Sequence, residues 1–191
     1  MKETKKVILT LLGRFLFLSL LCYFSAFKAY AGDVQNEMLA PPADVFERML
    51  IAAEKGEYEK INKALKLLEP LATQVNQVFS VDIKKELEKA IAAKERETTI
   101  SVIQRFICLS IKTNLTNCFE GVADRYQITP RIRGAYSEYL VLDYYVRKKD
   151  FTASQVLKNL FRNANSMAGV KPQELKTVCQ KIKSDLQQLF F

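Results

Sequence analysis

From residue 44 onward, apolar side chains recur every three or four positions and almost never every second one, so the chain reads as a succession of amphipathic helices. Val45, Phe46, Met49, Leu50 and Ala53 give the first helix a single apolar face. Asp44-x-x-Glu47 offers a carboxylate version of a capping box at its start, and Gly56 ends it. The next run, Tyr58, Ile61, Leu65, Leu68, Ala72, Val75 and Phe79, alternates spacings of three and four and predicts one long helix with a core seam. Pro70 falls away from that seam, which predicts a solvent-facing kink, since water can satisfy the carbonyl left without a donor. Asp82 is placed to cap a third helix over 83–95 that turns Ile83, Leu87, Ala90 and Ile91 inward.

Two later helices depart from this one-sided pattern. Over 98–119, Ile100, Ile103, Phe106, Ile107, Cys108, Leu109, Ile111 and Leu115 cover more than one face. Over 132–148, Tyr136, Tyr139, Leu140, Val141, Leu142, Tyr144, Tyr145 and Val146 do the same. A helix that is apolar most of the way round is surrounded by others, so these two are expected at the centre, joined by a connection over 120–131 that contains Gly121 and Pro130. Thr152-x-x-Gln155 reads as a capping box for a sixth helix over 153–165. Pro172 opens a seventh with a clean stripe of Leu175, Val178, Cys179, Ile182, Leu186 and Leu189. The expected fold is all-α, a single-domain bundle or stack of helical hairpins with six to seven helices over 44–191.

An internal echo runs through the pattern: Leu50-Ile-Ala-Ala-Glu-Lys-Gly-Glu57 returns as Ala90-Ile-Ala-Ala-Lys-Glu-Arg-Glu97. The segment Val45 to Pro70 is similar to a single tetratricopeptide hairpin through Ala53, Gly56, Tyr58, Ala64 and Pro70. It lacks the Trp-x-x-Leu-Gly opening and does not recur at the roughly 34-residue period of that family, so no repeat architecture is expected.

The segment before the helices has a different character. Lys2, Lys5, Lys6 and Arg14 precede an uncharged run, Phe15 to Phe27, and Ala29-Tyr30-Ala31 then places small side chains before Gly32. Basic, apolar and small-x-small elements in that order predict a secretory signal peptide over 1–31, cut after Ala31. The apolar run is too short for a membrane anchor, which needs about 20 residues to cross the hydrocarbon layer. Residues 32–43, with Leu39-Ala-Pro-Pro-Ala43, read as an extended leader. Without the first 31 residues the net charge falls from +8 to +4, so the basic balance of the whole chain comes partly from the targeting segment. A basic bias persists over 125–191, which holds 12 Lys and Arg against 5 Asp and Glu.

The chain contains no histidine and no tryptophan. That excludes Ser-His-Asp and Cys-His catalysis, haem attachment through C-x-x-C-H, and zinc or di-iron sites built on imidazole. No cofactor motif is present. After export, Cys108, Cys118 and Cys179 remain, an odd number that permits at most one internal bridge. Cys108 and Cys118 on one continuous helix are separated by about 15 Å along its axis, beyond disulfide reach. Cys118–Cys179 is the better pair, with buried free thiols as the alternative.

Carboxylates are densest at Glu54, Glu57, Glu86, Glu88, Glu95 and Glu97, but lysines interleave them, which predicts solvated ion pairs and no metal site. Tyr136, Tyr139, Asp143 and Arg147 share one side of helix 132–148 at helical spacing. An acid among aromatics needs a partner, either Arg147 and the phenols locking a core, or a small polar ligand. Lys148, Lys149, Arg162, Lys176 and Lys183 form a basic surface suited to an envelope protein or an anionic membrane, and no nucleic-acid motif accompanies them. These readings converge on an exported, non-enzymatic interaction or accessory protein of a bacterial cell envelope. The alternative is a periplasmic helical bundle that binds a small ligand or metal in the Tyr/Asp pocket.

Overall fold

Paired prolines start the first helix. The computed structural model describes residues 40–119, 125–168 and 171–191. The predicted signal peptide, its cleavage site, most of the leader and Gly121 lie outside them. Helix α1 (Pro42–Glu54) begins three residues earlier than the capping-box reading placed it. Pro42 presets the helical φ where no N–H is needed, so Asp44 sits inside the first turn and makes no side-chain cap; its charge still favours the helix N-terminus. At the other end Gly56 takes φ +69°, and the amides of Gly56 and Glu57 return to the carbonyls of Ala53 and Ala52 at 3.1 and 2.8 Å. The echoed segment ends the same way, with Lys94 at φ 54° closing α4 (Ile83–Ala93). Tyr58 at the start of α2 (Tyr58–Leu67) donates to the Lys94 carbonyl at 2.7 Å, so the two turns are tied together.

The expected long second helix is two. Leu68, at φ −96° and ψ 8°, separates α2 from α3 (Glu69–Phe79), which raises the number of helices among the described residues to eight. Pro70 lies in the first turn of α3, where its missing N–H is harmless, so the proline permits a restart instead of a kink. The seam nonetheless stays continuous: Ile61, Leu65, Leu68, Ala72 and Val75 are all buried. Leu65→Ala and Leu68→Ala are each expected to destabilise by about 2–5 kcal/mol in chemical denaturation, against little change for the exposed Pro70→Ala. A Pro70→Ala loss as large as that of Leu68→Ala would show that the break itself holds the fold together.

Helix α4 is capped by Asp82, whose carboxylate accepts the Lys85 amide at 3.1 Å. Helix α5 (Arg96–Thr116) packs against α1, α3, α4, α6 and α8, which explains its all-round apolar surface. Phe106 at its middle meets Phe46 of α1 edge to face with ring centres 5.0 Å apart. Helix α6 spans Arg125–Lys149, so the second half of the predicted 120–131 connection is helical and Pro130 lies within the helix. The proline is exposed and only two turns from the start, where water can satisfy the one carbonyl that loses its partner. Helix α7 (Phe151–Met167) starts ahead of the expected Thr152 cap, because Asp150 accepts the Ala153 amide at 2.9 Å. Helix α8 (Pro172–Phe190) packs on α5 and α7. The result is an all-α unit over 41–191 with α5 enclosed at its centre, as the sequence predicts; α6 packs on α1, α5 and α7 but leaves Leu140 and Tyr144 exposed, so its apolar surface is not covered all round. Among the described residues no helix is long and apolar enough to cross a membrane.

Candidate functional site

Helical spacing on α6 does bring Tyr136, Tyr139, Asp143 and Arg147 together, and α7 completes the group. Tyr136, Tyr139 and Phe161 stack, with centroids 5.1 to 6.5 Å apart. Behind them Asp143 is 7 % exposed. Its Oδ1 accepts from Ser154 Oγ at 2.6 Å and lies 3.2 Å from Tyr139 OH, which shares its single proton with the Ser154 carbonyl at the same distance. Its Oδ2 accepts from Lys158 Nζ at 2.7 Å and Arg147 Nε at 2.9 Å. Two donors on each oxygen fill the acceptor capacity of a carboxylate, which leaves no lone pair directed at a ligand. Burial alone would raise the Asp143 pKa, but the Lys158 and Ser154 hydrogen bonds, the Lys158 charge and the Arg147 bond together hold it below its ordinary value. Burial and the Asp143 charge push Tyr139 up, while its contact with Ser154 opposes them. The arrangement is a polar bolt between α6 and α7. Sequence reasoning missed Ser154, Lys158 and Phe161, although they share one face of α7 by their spacing.

A second buried acid went unnoticed. Glu138, one position before Tyr139, is 2 % exposed and faces α5. Asn114 Nδ2 donates to its Oε1 at 3.2 Å, while Glu138 Oε2 and the nearby Ser110 Oγ complete no hydrogen bond. Burial raises its pKa to about 8, against the smaller opposing influence of Ser110 and Asn114. Glu138 is thus neutral over much of the physiological range and can hold a proton that a surface glutamate would release. Its signal in the sequence was its position on the inward stripe with Ile132, Ala135 and Leu142, all of them buried.

The remaining candidates are distributed. Cys108, Cys118 and Cys179 are buried free thiols, which burial pushes up to about 12, 11 and 12. Lys112 meets Gln187 and Lys183 meets Thr116, at 2.6 and 3.1 Å. That antiparallel register of α5 and α8 sets Cys118 opposite Cys179, and charge on Cys118 adds to the rise in Cys179. Of the basic residues, Lys149 donates to the Leu189 carbonyl at 2.9 Å and lies over Phe190, and Lys183 is held by Thr116, so both fasten α8. Lys148 lies over the Tyr144 ring at 4.2 Å, whereas Arg162 and Lys176 are exposed. The carboxylate-rich turns are salted: Glu57 pairs with Lys60, Glu86 with Arg105 and Glu97 with Arg96. Among the described residues no three Cys, Asp or Glu side chains gather as metal ligands.

An open site exists elsewhere. Glu47, Leu50, Ile51 and Glu54 of α1 and Leu140, Val141, Tyr144 and Tyr145 of α6 line a groove of about 260 Å³. Ile51, Leu140 and Tyr144 are 45, 49 and 54 % exposed, unusual for large apolar side chains on two adjacent helices. Glu54 accepts from Tyr145 OH at 2.8 Å, which fixes both walls. Burial and the Glu54 bond push Tyr145 up, so the phenol keeps its proton. The sequence pattern counts Leu140 and Tyr144 among the apolar positions of helix 132–148 and leaves Ile51 off the face of the first helix; only the crossing of α1 and α6 shows that they meet at the surface. Comparison with protein-family models, curated proteins and solved structures finds no match.

Proposed function

We propose that the protein is an exported, non-enzymatic interaction or accessory protein of a bacterial cell envelope, and that the groove between α1 and α6 is its working surface. The observation that carries this reading is a contrast between two places on α6. Asp143 is saturated by four donors and covered, whereas Leu140 and Tyr144 stand exposed beside Ile51. A cluster of exposed large apolar side chains marks a contact surface more often than isolated ones do. Export rests on the order of basic, apolar and small residues over 1–31. An envelope protein is the expected partner. Arg162 and Lys176 offer a weaker contact to an anionic membrane, since Lys149 and Lys183 are engaged in holding α8. A small-ligand or metal role for Tyr136, Tyr139, Asp143 and Arg147 has less support, because the Asp143 carboxylate at the centre of the group is already saturated by Tyr139, Ser154, Lys158 and Arg147.

Photo-crosslinking in the producing cell tests the reading. A photoreactive side chain at Leu140 is expected to give one discrete adduct in the exported fraction, lost when Ile51→Asp is added, and the same group at Arg162 gives none. Adducts from Arg162 with none from Leu140, or retention of the protein in the cytoplasm, would overturn it.

A further inference from the structure

We infer that the occupant of the α1/α6 groove is a cationic amphipathic helix of a partner protein; this rests on the reading of the groove as the working surface. Three observations support it. The volume, about 260 Å³, lies below the roughly 300–1,000 Å³ of sites that enclose a small molecule, but suits a few side chains pushed in from a helix lying along the groove. The apolar lining comes from both walls: Leu50 and Ile51 on α1, and Leu140, Val141 and Tyr144 on α6, offer side chains between which those of an i, i+3, i+4, i+7 stripe can interdigitate. The charged groups in the lining are both carboxylates. Glu47 and Glu54 stand on α1 two helical turns apart, on either side of Ile51, and no cation lines the groove with them. Glu97, near the Tyr145 end, is paired with Arg96, so the acidic character of the groove rests on Glu47 and Glu54.

A helix with leucines facing the floor and lysines or arginines beside α1 would bury Ile51, Leu140 and Tyr144 and set its cations against Glu47 and Glu54. An anionic helix would place like charges there, and that repulsion selects against it. Lys148 lies over the Tyr144 ring on α6, so the acidic side of the groove is that of α1, with Glu47 and Glu54.

The test uses the mature chain and two short synthetic helices with the same leucine stripe, one flanked by lysines and the other by glutamates. Binding is followed by fluorescence anisotropy and by amide chemical shifts. The lysine peptide is expected to bind roughly tenfold or more tightly than the glutamate peptide, to weaken with added salt, and to shift amides around Ile51 and Leu140. Glu47→Lys should narrow that preference while leaving the fold unchanged, because Glu47 is exposed. Leu140→Asp should abolish binding of both peptides. Equal binding of the two peptides at the groove would overturn the cationic assignment and leave the working surface standing. Shifts confined to other helices would overturn both. A dimer of the protein alone, dissolved by Leu140→Asp, would replace the foreign helix with a second copy of this chain.

Discussion

Asp143→Asn is expected to lower the unfolding free energy by about 3–5 kcal/mol, because it leaves a buried cation without its counter-charge. The cation that matters is Lys158. Its side chain is 16 % exposed, against 51 % for Arg147, so water can rehydrate the arginine but not the lysine. From the sequence alone, Arg147 was the evident partner, four residues away on the same helix. The structure transfers the dominant role to α7, and with it the predicted rescue. Lys158→Met in the Asp143→Asn background should recover much of the loss, while Arg147→Met should recover little. A double-mutant cycle by chemical denaturation reads both couplings. Rescue by Arg147→Met equal to that by Lys158→Met would show that the exposed pair carries the energy. The same carboxylate sets an acid limit: its folded pKa lies below the ordinary 3.8, so its contribution is complete above that value and is lost as pH falls through the folded pKa.

Glu138 works in the opposite direction. Its folded pKa, about 8, stands above the ordinary 4.5, so the folded state binds the proton more tightly than the unfolded chain does. Stability from this group is fully present below about pH 4.5 and declines as pH rises toward 8, where the buried carboxylate ionises. The loss across that window is on the order of 5 kcal/mol, at about 1.4 kcal/mol for each unit of pKa difference. Glu138→Gln should flatten the decline and make the protein more stable than wild type at pH 8, since an amide stays neutral and can still accept from Asn114. Denaturation midpoints of both proteins between pH 4.5 and 8 check this. A wild-type stability that rises over the same interval, with no difference from Glu138→Gln, would mean that the carboxyl is solvated and ionised throughout.

Much of the architecture was legible because a helix shows its buried face as a period. The all-round apolar pattern of 98–119 located the central helix, whereas the similar pattern of 132–148 belongs to a helix that leaves Leu140 and Tyr144 uncovered. Asp82 and Pro172 marked starts correctly, since capping and a first-turn proline are local effects. The misplaced boundaries had competing local signals: Pro42 against Asp44, and Asp150 against Thr152. Residues 68–70 keep the seam's spacing through a break, so periodicity could not reveal it. The polar cluster was half legible. Tyr136, Tyr139, Asp143 and Arg147 share a helix face, but Ser154 and Lys158 reach Asp143 only through the packing of α7 on α6. The α1/α6 groove was hidden for the same reason, because Ile51 and Leu140 are distant in sequence and their periodicity does not say which apolar positions remain uncovered.

The central claim is that α6 serves two separate purposes: Asp143 holds the fold together, and Leu140 and Tyr144 meet the partner. It is tested most directly by the affinity of the lysine-flanked peptide for two variants measured side by side. The stability-repaired Asp143→Asn/Lys158→Met protein should bind as the wild type does, while the well-folded Leu140→Asp protein should lose binding by roughly tenfold or more. Binding retained by Leu140→Asp and lost by Asp143→Asn/Lys158→Met would contradict the account and move the working site to the Asp143 cluster.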